Sequence, residues 1–202
     1  MWENLIGRSR SFWTFLYPVL RSHFPSFWDV DLETFYRAIN AVKPCLIRVD
    51  SNEVTYNLHI LHRFELEYAF VAGDLQVNDL PQAFADMMEE YIGVRPPDLV
   101  QGALQDTHWA SGLIGYYPTY MLGNLAAAQF FVHYCVLEYE NIQKRFAAGD
   151  FSDLLGWLRE NVHRWGFPDT LQGLLTNVTG EQLSPLHFFG YLEEKFGELY
   201  EL

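Results

Sequence analysis

The sequence predicts an all-α protein: a bundle or array of about eight helices forming one helical domain over residues 1–202. Three observations carry this. Leu, Ala, Glu and Phe recur at three-to-four spacing, the period of a helix with one apolar face. Val, Ile and Thr are not gathered into alternating runs, so no strand pattern competes. Start and stop residues punctuate the chain at helical lengths.

The first helix reads as residues 2–23. No Ser, Thr, Asp or Asn caps its start, as if it were cut within an element. Asp31 caps a second helix to residue 42, Pro44 ends it, and residues 45–49 read as a short extended segment. Asp50 and Glu53 are spaced as a capping box for a third helix that runs to residue 72, with Gly73 as its C-cap. Apolar residues nearly encircle this helix, which makes it central. Its polar exceptions, Thr55, His59, His62, Arg63 and Glu67, fall on one stripe. That stripe reads either as a solvated face with an Arg63–Glu67 pair or as the wall of a groove. A fourth helix spans residues 79–92, with Pro81 near its start and Gly93 after it, and Pro96-Pro97 forms a stiff joint. A long helix covers residues 118–146. Three shorter ones, 152–164, 169–178 and 185–199, have starts marked by Asp150, Pro168 and Ser184-Pro185.

Apolar residues make up 50% and charged residues 19%, a globular composition. Aromatics at 17% exceed what a helical domain of this size readily buries, so either the core is aromatic-rich or part of this surface meets a partner. The net charge of −13 argues against a nucleic-acid partner, which needs clustered Lys and Arg. Cys45 and Cys135 lie in no CxxC pattern and read as free buried thiols of a reducing compartment. The first ten residues lack the apolar run of a signal peptide. Residues 121–137 contain Asn124, Gln129 and His133 and are too few to span a bilayer, so they read as a core helix. The expected location is the cytoplasm, with no membrane partner. Asn177-Val178-Thr179 fits a glycosylation sequon, which means nothing without secretion.

Between residues 102 and 120 the helical period stops, at GALQDTHWASGLIGYYPTY. Gly102, Gly112 and Gly115 permit backbone conformations that other residues resist. Pro118 fits the first position of a new helix, which puts Tyr120 in its first turn, near the positive end of the dipole. A phenol there and a histidine on the incoming loop could hydrogen-bond a carboxylate or a developing oxyanion. The alternative is a buried loop whose polar groups serve the backbone. His59 and His62 at i,i+3 fall short of the three or four ligands of a zinc site, and no HExxH occurs, so no metal ligands are assigned. Asp106, His108 and Ser111 sit too close in sequence for a converging triad, and no Gly-Lys-Ser/Thr completes a P-loop.

The same residues resemble a known family. GALQDTHW is similar to the G-x-x-Q-D-x-H-W motif of the Taq-type thermostable metallocarboxypeptidases, and GLIGYYPTYMLGNLAAAQF to the segment that follows it. Ile47-Arg48-Val49-Asp50-Ser51-Asn52 resembles the I/V-R-x-x-A-D motif, with Ser51 for Ala and Asn52 for Asp. EVTYNLHILHRFELE resembles the next helix, with His62 where an aliphatic residue is expected. GDFSDLLGWLRENVHRWG and LSPLHFFGYLEEKFGELY also fit, so the resemblance covers the whole chain.

The resemblance implies the C-terminal portion of an all-helical enzyme more than twice as long and commonly dimeric. Such enzymes bind a divalent metal, usually zinc, and remove single residues from peptide C-termini. Met1-Trp2-Glu3-Asn4 resembles the W-E-N that follows the third metal ligand, which would place the HExxH helix and every ligand before Met1. The chain alone is then expected to be inactive, a partner of the missing N-terminal part in cis or trans. By the same resemblance Arg48 anchors the substrate's terminal carboxylate, His108 binds substrate or stabilises the tetrahedral intermediate, and Tyr116 and Tyr120 are phenolic donors. Gln105 and Asp106 orient His108 and the loop. The Asn52 change is expected to weaken whatever fixes Arg48. The competing expectation is a non-catalytic helical module that binds peptide tails or a protein partner.

Overall fold

The computed structural model describes residues 1–136, 138–166 and 170–202. Leu137, in the expected long helix, and Pro168 and Asp169, in the expected start of a later one, lie outside the described residues. The described residues are all-α, with nine α-helices and no strand among them. Contacts divide the chain into two compact units, Met1–Asn40 with Asn124–Leu202, and Ala41–Gly123. No linker or shift in composition marks this division in the sequence.

The first unit begins with a π-turn at Trp2–Ile6 and then α1, Arg10–His23, instead of one continuous helix. A Cβ on Gly7 would stand 2.7 Å from the Glu3 carbonyl oxygen and 2.9 Å from that of Trp2, so the chain curls there onto its own carbonyls. The Ser9 hydroxyl then accepts from the Phe12 amide and starts α1 afresh. Helix α2, Leu32–Ile39, starts at the expected Asp31, whose carboxylate accepts from Thr34 N, but it ends before residue 42. Asn40 closes it by donating to the Tyr36 and Arg8 carbonyls.

The expected helix over residues 118–146 is two helices, α5 at Pro118–Cys135 and α6 at Tyr139–Ala147. Helix α6 packs on α1, and its Ile142 and Phe146 join Leu5, Ile6 and Phe131 in one core. The apolar period continues through the break, so only this tertiary packing distinguishes two helices from one. Helices α7 at Ser152–Asn161, α8 at Leu171–Thr179 and α9 at Leu186–Tyr200 complete the unit. The fully buried Gln129 joins α5 to the α8–α9 connection. Its amide donates to Thr179 Oγ1 and the Gln182 carbonyl, each at 3.1 Å, and accepts from Ser184 N at 3.1 Å. Both cysteines are free; Cys135 is buried, which pushes its thiol up to about 12, while Cys45 is half-buried.

The second unit holds α3, Glu53–Ala72, packed on α4, Leu80–Ile92, through Leu66, Phe84, Met88, Ile92 and Ala103. Gly73 ends α3 at φ 85°, the left-handed C-cap expected of it. The cap at the other end is Asn52, not Asp50. Its side-chain oxygen accepts from Val54 N and Thr55 N, while Asp50 belongs to a 3₁₀ turn, Arg48–Asp50. That turn takes the last two residues, Arg48 and Val49, of the expected extended segment. No single helix among the described residues is long and apolar enough to cross a membrane.

Candidate functional site

The second unit draws the loop residues and the α3 stripe into one cluster. Gln105 fixes the loop first. Its side-chain oxygen accepts from Arg48 N at 3.1 Å, and its amide donates to the Leu46 and Gln101 carbonyls at 3.0 and 2.8 Å. This holds residues fifty-odd positions apart edge to edge and brings Arg48 to Asp106. Arg48 Nε donates to Asp106 Oδ2 at 2.7 Å, Nη2 donates to Oδ1 at 3.3 Å, and Nη1 donates to the Tyr56 hydroxyl at 3.0 Å. The planar fork suits this bidentate pairing.

Asp106 passes the contact on. Its Oδ1 lies 2.7 Å from His108 Nδ1, and His108 Nε2 lies 3.0 Å from the Tyr120 hydroxyl. Burial alone would raise the Asp106 carboxyl, but the hydrogen bonds and charge of Arg48, with help from His108 and Arg63, hold it near 2. An ionised carboxylate only accepts, so His108 Nδ1 is the protonated nitrogen facing it and neutral His108 presents Nε2 as an acceptor. Tyr120 sits in the first turn of α5, which opens at Pro118 as expected, and burial followed by the neighbouring Tyr116 raises its phenol. Gly112 and Gly115 take positive φ, 73° and 77°, and so turn the loop back toward α5.

Several expectations change here. Asp106 and His108 are bonded, and the chain they start continues to Tyr120. The α3 stripe is not a solvated face: Thr55, His59, His62, Arg63 and Glu67 are all buried. Arg63 does not pair with Glu67. Its Nη1 donates to the His59 carbonyl and to His62 Nε2, its Nε lies 3.7 Å from Asp106 Oδ2, and its guanidinium sits over the Phe84 and Tyr117 rings. Glu67 accepts instead from Trp109 Nε1 at 2.8 Å. With Asn52 in place, Asp106 and Tyr56 hold the Arg48 side chain. The Asn52 amide adds a bond of its own, to the Lys43 carbonyl at 2.8 Å.

The residues do not fit a catalytic metal. Among the described residues no three His, Cys, Asp or Glu side chains are grouped to hold one. Burial, then the adjacent Arg63 cation, drives His59 to about 3 and His62 to about 2. Arg63 occupies His62 Nε2, and two guanidinium charges border the pair, the reverse of a cation site.

A family model described as the Carboxypeptidase Taq (M32) metallopeptidase matches residues 1–196. The chain belongs to this family. It is 49% identical to thermostable carboxypeptidase 1 of Thermus thermophilus over 199 residues, which is 98% of this chain and 39% of that protein. It is 38% identical to carboxypeptidase 1 of Bacillus subtilis over 204 residues, 100% of this chain and 40% of the relative. The crystal structure of the M32 carboxypeptidase from Deinococcus radiodurans R1 superposes with a TM-score of 0.95 at 44% identity, covering 100% of this chain and 41% of that one. The chain thus spans about two fifths of the relatives it matches, their C-terminal portion.

Within this M32 chain Arg48, Gln105, Asp106, His108 and Tyr120 form one hydrogen-bonded chain, and the ring of Tyr116 lies 5.6 Å from that of His108. Tyr116 is exposed. The fully buried tyrosine is Tyr117, whose ring lies tilted against His108 at 4.7 Å between centroids, and its phenol is raised by burial. Tyr56, Arg63 and Tyr117 were not singled out as site residues in the sequence. The polar stripe on α3 pointed toward Arg63; no spacing distinguishes Tyr117 from its two neighbours.

Proposed function

We propose that this chain supplies the substrate-side half of a metallocarboxypeptidase site, which holds the C-terminal end of a peptide while its last residue is hydrolysed. The observation that carries this is the continuous array Arg48–Asp106–His108–Tyr120, with Asp106 as its fixed anion. Arg48 uses three of its five N–H groups on Asp106 and Tyr56, which leaves one on each terminal nitrogen. Two N–H groups are what a peptide's terminal carboxylate takes from a guanidinium. His108, locked at Nδ1 by Asp106, would donate to the scissile carbonyl once Nε2 also carries a proton, and the Tyr120 phenol beside it would donate its O–H, so that both would steady charge developing on that oxygen. Tyr116, the exposed ring beside His108, would cover the bound residue. Gln105 keeps Arg48 and the loop in register.

Among the described residues no three His, Cys, Asp or Glu side chains are grouped to hold the divalent metal, by resemblance zinc, of the complete enzyme, so that ion would be held by the remaining three fifths of the fold, in cis or trans. The chain alone would bind peptide acids without turning them over.

The test is calorimetry on the 202-residue chain with a short peptide bearing a free C-terminus and with its C-terminal amide. The acid should bind at least about tenfold tighter, the scale of one charge-assisted pair. Arg48→Met should erase the difference. Equal binding of acid and amide would remove the carboxylate-clamp reading and leave a general peptide- or protein-binding module.

A further inference from the structure

Arg63 is the largest fully buried side chain among the described residues and is poorly provided with partners. Its Nε and Nη2 have no hydrogen-bond partner, and its nearest carboxylate, at 3.7 Å, is Asp106, already engaged by Arg48 and His108. Burial pulls its guanidinium down from the usual range. An apolar side chain of the same volume would ordinarily serve stability as well or better than an ion so placed.

The geometry around it has one direction. Arg63 and Glu67 stand one turn apart on α3, where opposite charges normally pair, yet each turns to the loop. Glu67 holds the Trp109 indole, and Arg63 lies against Asp106 and over the Tyr117 ring. Those contacts reach His108 by two routes. Asp106 bonds His108 Nδ1 at 2.7 Å, and the Tyr117 ring covers the His108 ring at 4.7 Å. The Arg63 guanidinium also lies 5.2 Å from the Phe84 ring, which meets Trp109 edge-on.

We infer that Arg63 is a positioning residue for His108, acting through the Asp106 carboxylate and the Tyr117 ring. The inference rests on the reading of His108 as the group that meets the scissile carbonyl. Arg63 touches no substrate in this scheme; its charge lies 3.7 Å from Oδ2, the Asp106 oxygen that Arg48 Nε also holds, and its guanidinium packs on the Tyr117 ring that faces the imidazole.

The experiment is nitrogen-15 histidine NMR on the 202-residue chain, with the His108 signals assigned by their loss in His108→Gln. In the native chain the Nδ1 proton of His108 should exchange slowly and Nδ1 should be the protonated nitrogen. Arg63→Met, which keeps volume and removes charge, should speed that exchange at least about tenfold, the effect of freeing a hydrogen-bonded imidazole proton. Arg63→Lys should keep it within about twofold of native. A folded Arg63→Met chain with native exchange would reduce Arg63 to a packing residue and overturn the inference. If Arg63→Met does not fold, Arg63→Lys decides: retained protection supports the charge-borne role, and lost protection in a folded chain overturns it. The readout uses no peptide, so failure of the peptide-acid clamp and failure of Arg63's role appear in separate measurements.

Discussion

The two units bury polar groups differently: among the described residues one buried side-chain atom of the first, Asn40 Oδ1, lacks a hydrogen-bond partner, against seven in the second. In the first, Gln129 is fully buried among helices α5, α8 and α9 and has partners for both its amide and its oxygen. Around it the core is apolar, from Leu5 and Ile6 to Leu154 and Phe188. In the second, two histidines, an arginine and a glutamate are buried on one stripe of α3, with His59 Nδ1, His62 Nδ1, Arg63 Nε and Glu67 Oε2 left without hydrogen-bond partners. A satisfied amide serves packing. A partly satisfied cluster of charges around one carboxylate costs stability, and the cost is accepted where the groups must hold something in place. That contrast sets the proposed site apart from the rest of the chain.

Asp106→Asn should break the contrast most sharply. It strands Arg48 and Arg63 without their shared anion, and urea unfolding should register a loss of about 3–5 kcal/mol, the cost of removing one partner from a buried pair.

Acid should find the second unit next. His59 and His62 are held neutral, at about 3 and about 2, against an unfolded value near 6.5. Lowered folded values mean stability that is complete above about pH 6.5 and drains away as pH falls, because only the unfolded chain takes up the protons. Between pH 6.5 and 5.5 the two histidines together should cost about 2 kcal/mol. Asp106, also lowered, adds its own loss only below about pH 3.8, as pH falls toward its folded value near 2. Chemical denaturation across this range should show a slope that His59→Gln and His62→Leu reduce.

The smallest effect belongs to the first unit. Gln129→Leu keeps the volume and strands Ser184 N, so it should cost about 1–2 kcal/mol and leave the acid slope unchanged. A change in that slope would mean that the histidines of the second unit are not its source.

The candidate site was legible only in part. Gln105, Asp106, His108 and Tyr120 stood out because glycines and Pro118 interrupt a helical pattern there, and such interruptions are local chemistry. Arg48 had a motif but not a partner; the fork expected to hold substrate pairs with Asp106. Tyr117 was hidden because three aromatic residues in five positions carry no information about which one turns inward. Asn52 took the capping role given to Asp50, since both residue types cap and only the backbone path chooses between them.

What the sequence determined by itself is whatever depends on near neighbours: an all-α chain, helix starts at Asp31 and Pro118, a left-handed stop at Gly73, and an irregular loop over residues 102–120. These follow from backbone dihedral preferences and hydrogen bonds spanning a few residues. Tertiary structure alone decided that α5 and α6 part so that Ile142 and Phe146 can reach the core, and that the α3 stripe turns inward to ring Asp106. Both outcomes hinge on burial against residues far away in the chain, and a helical period reads the same whether its polar face meets water or another part of the protein.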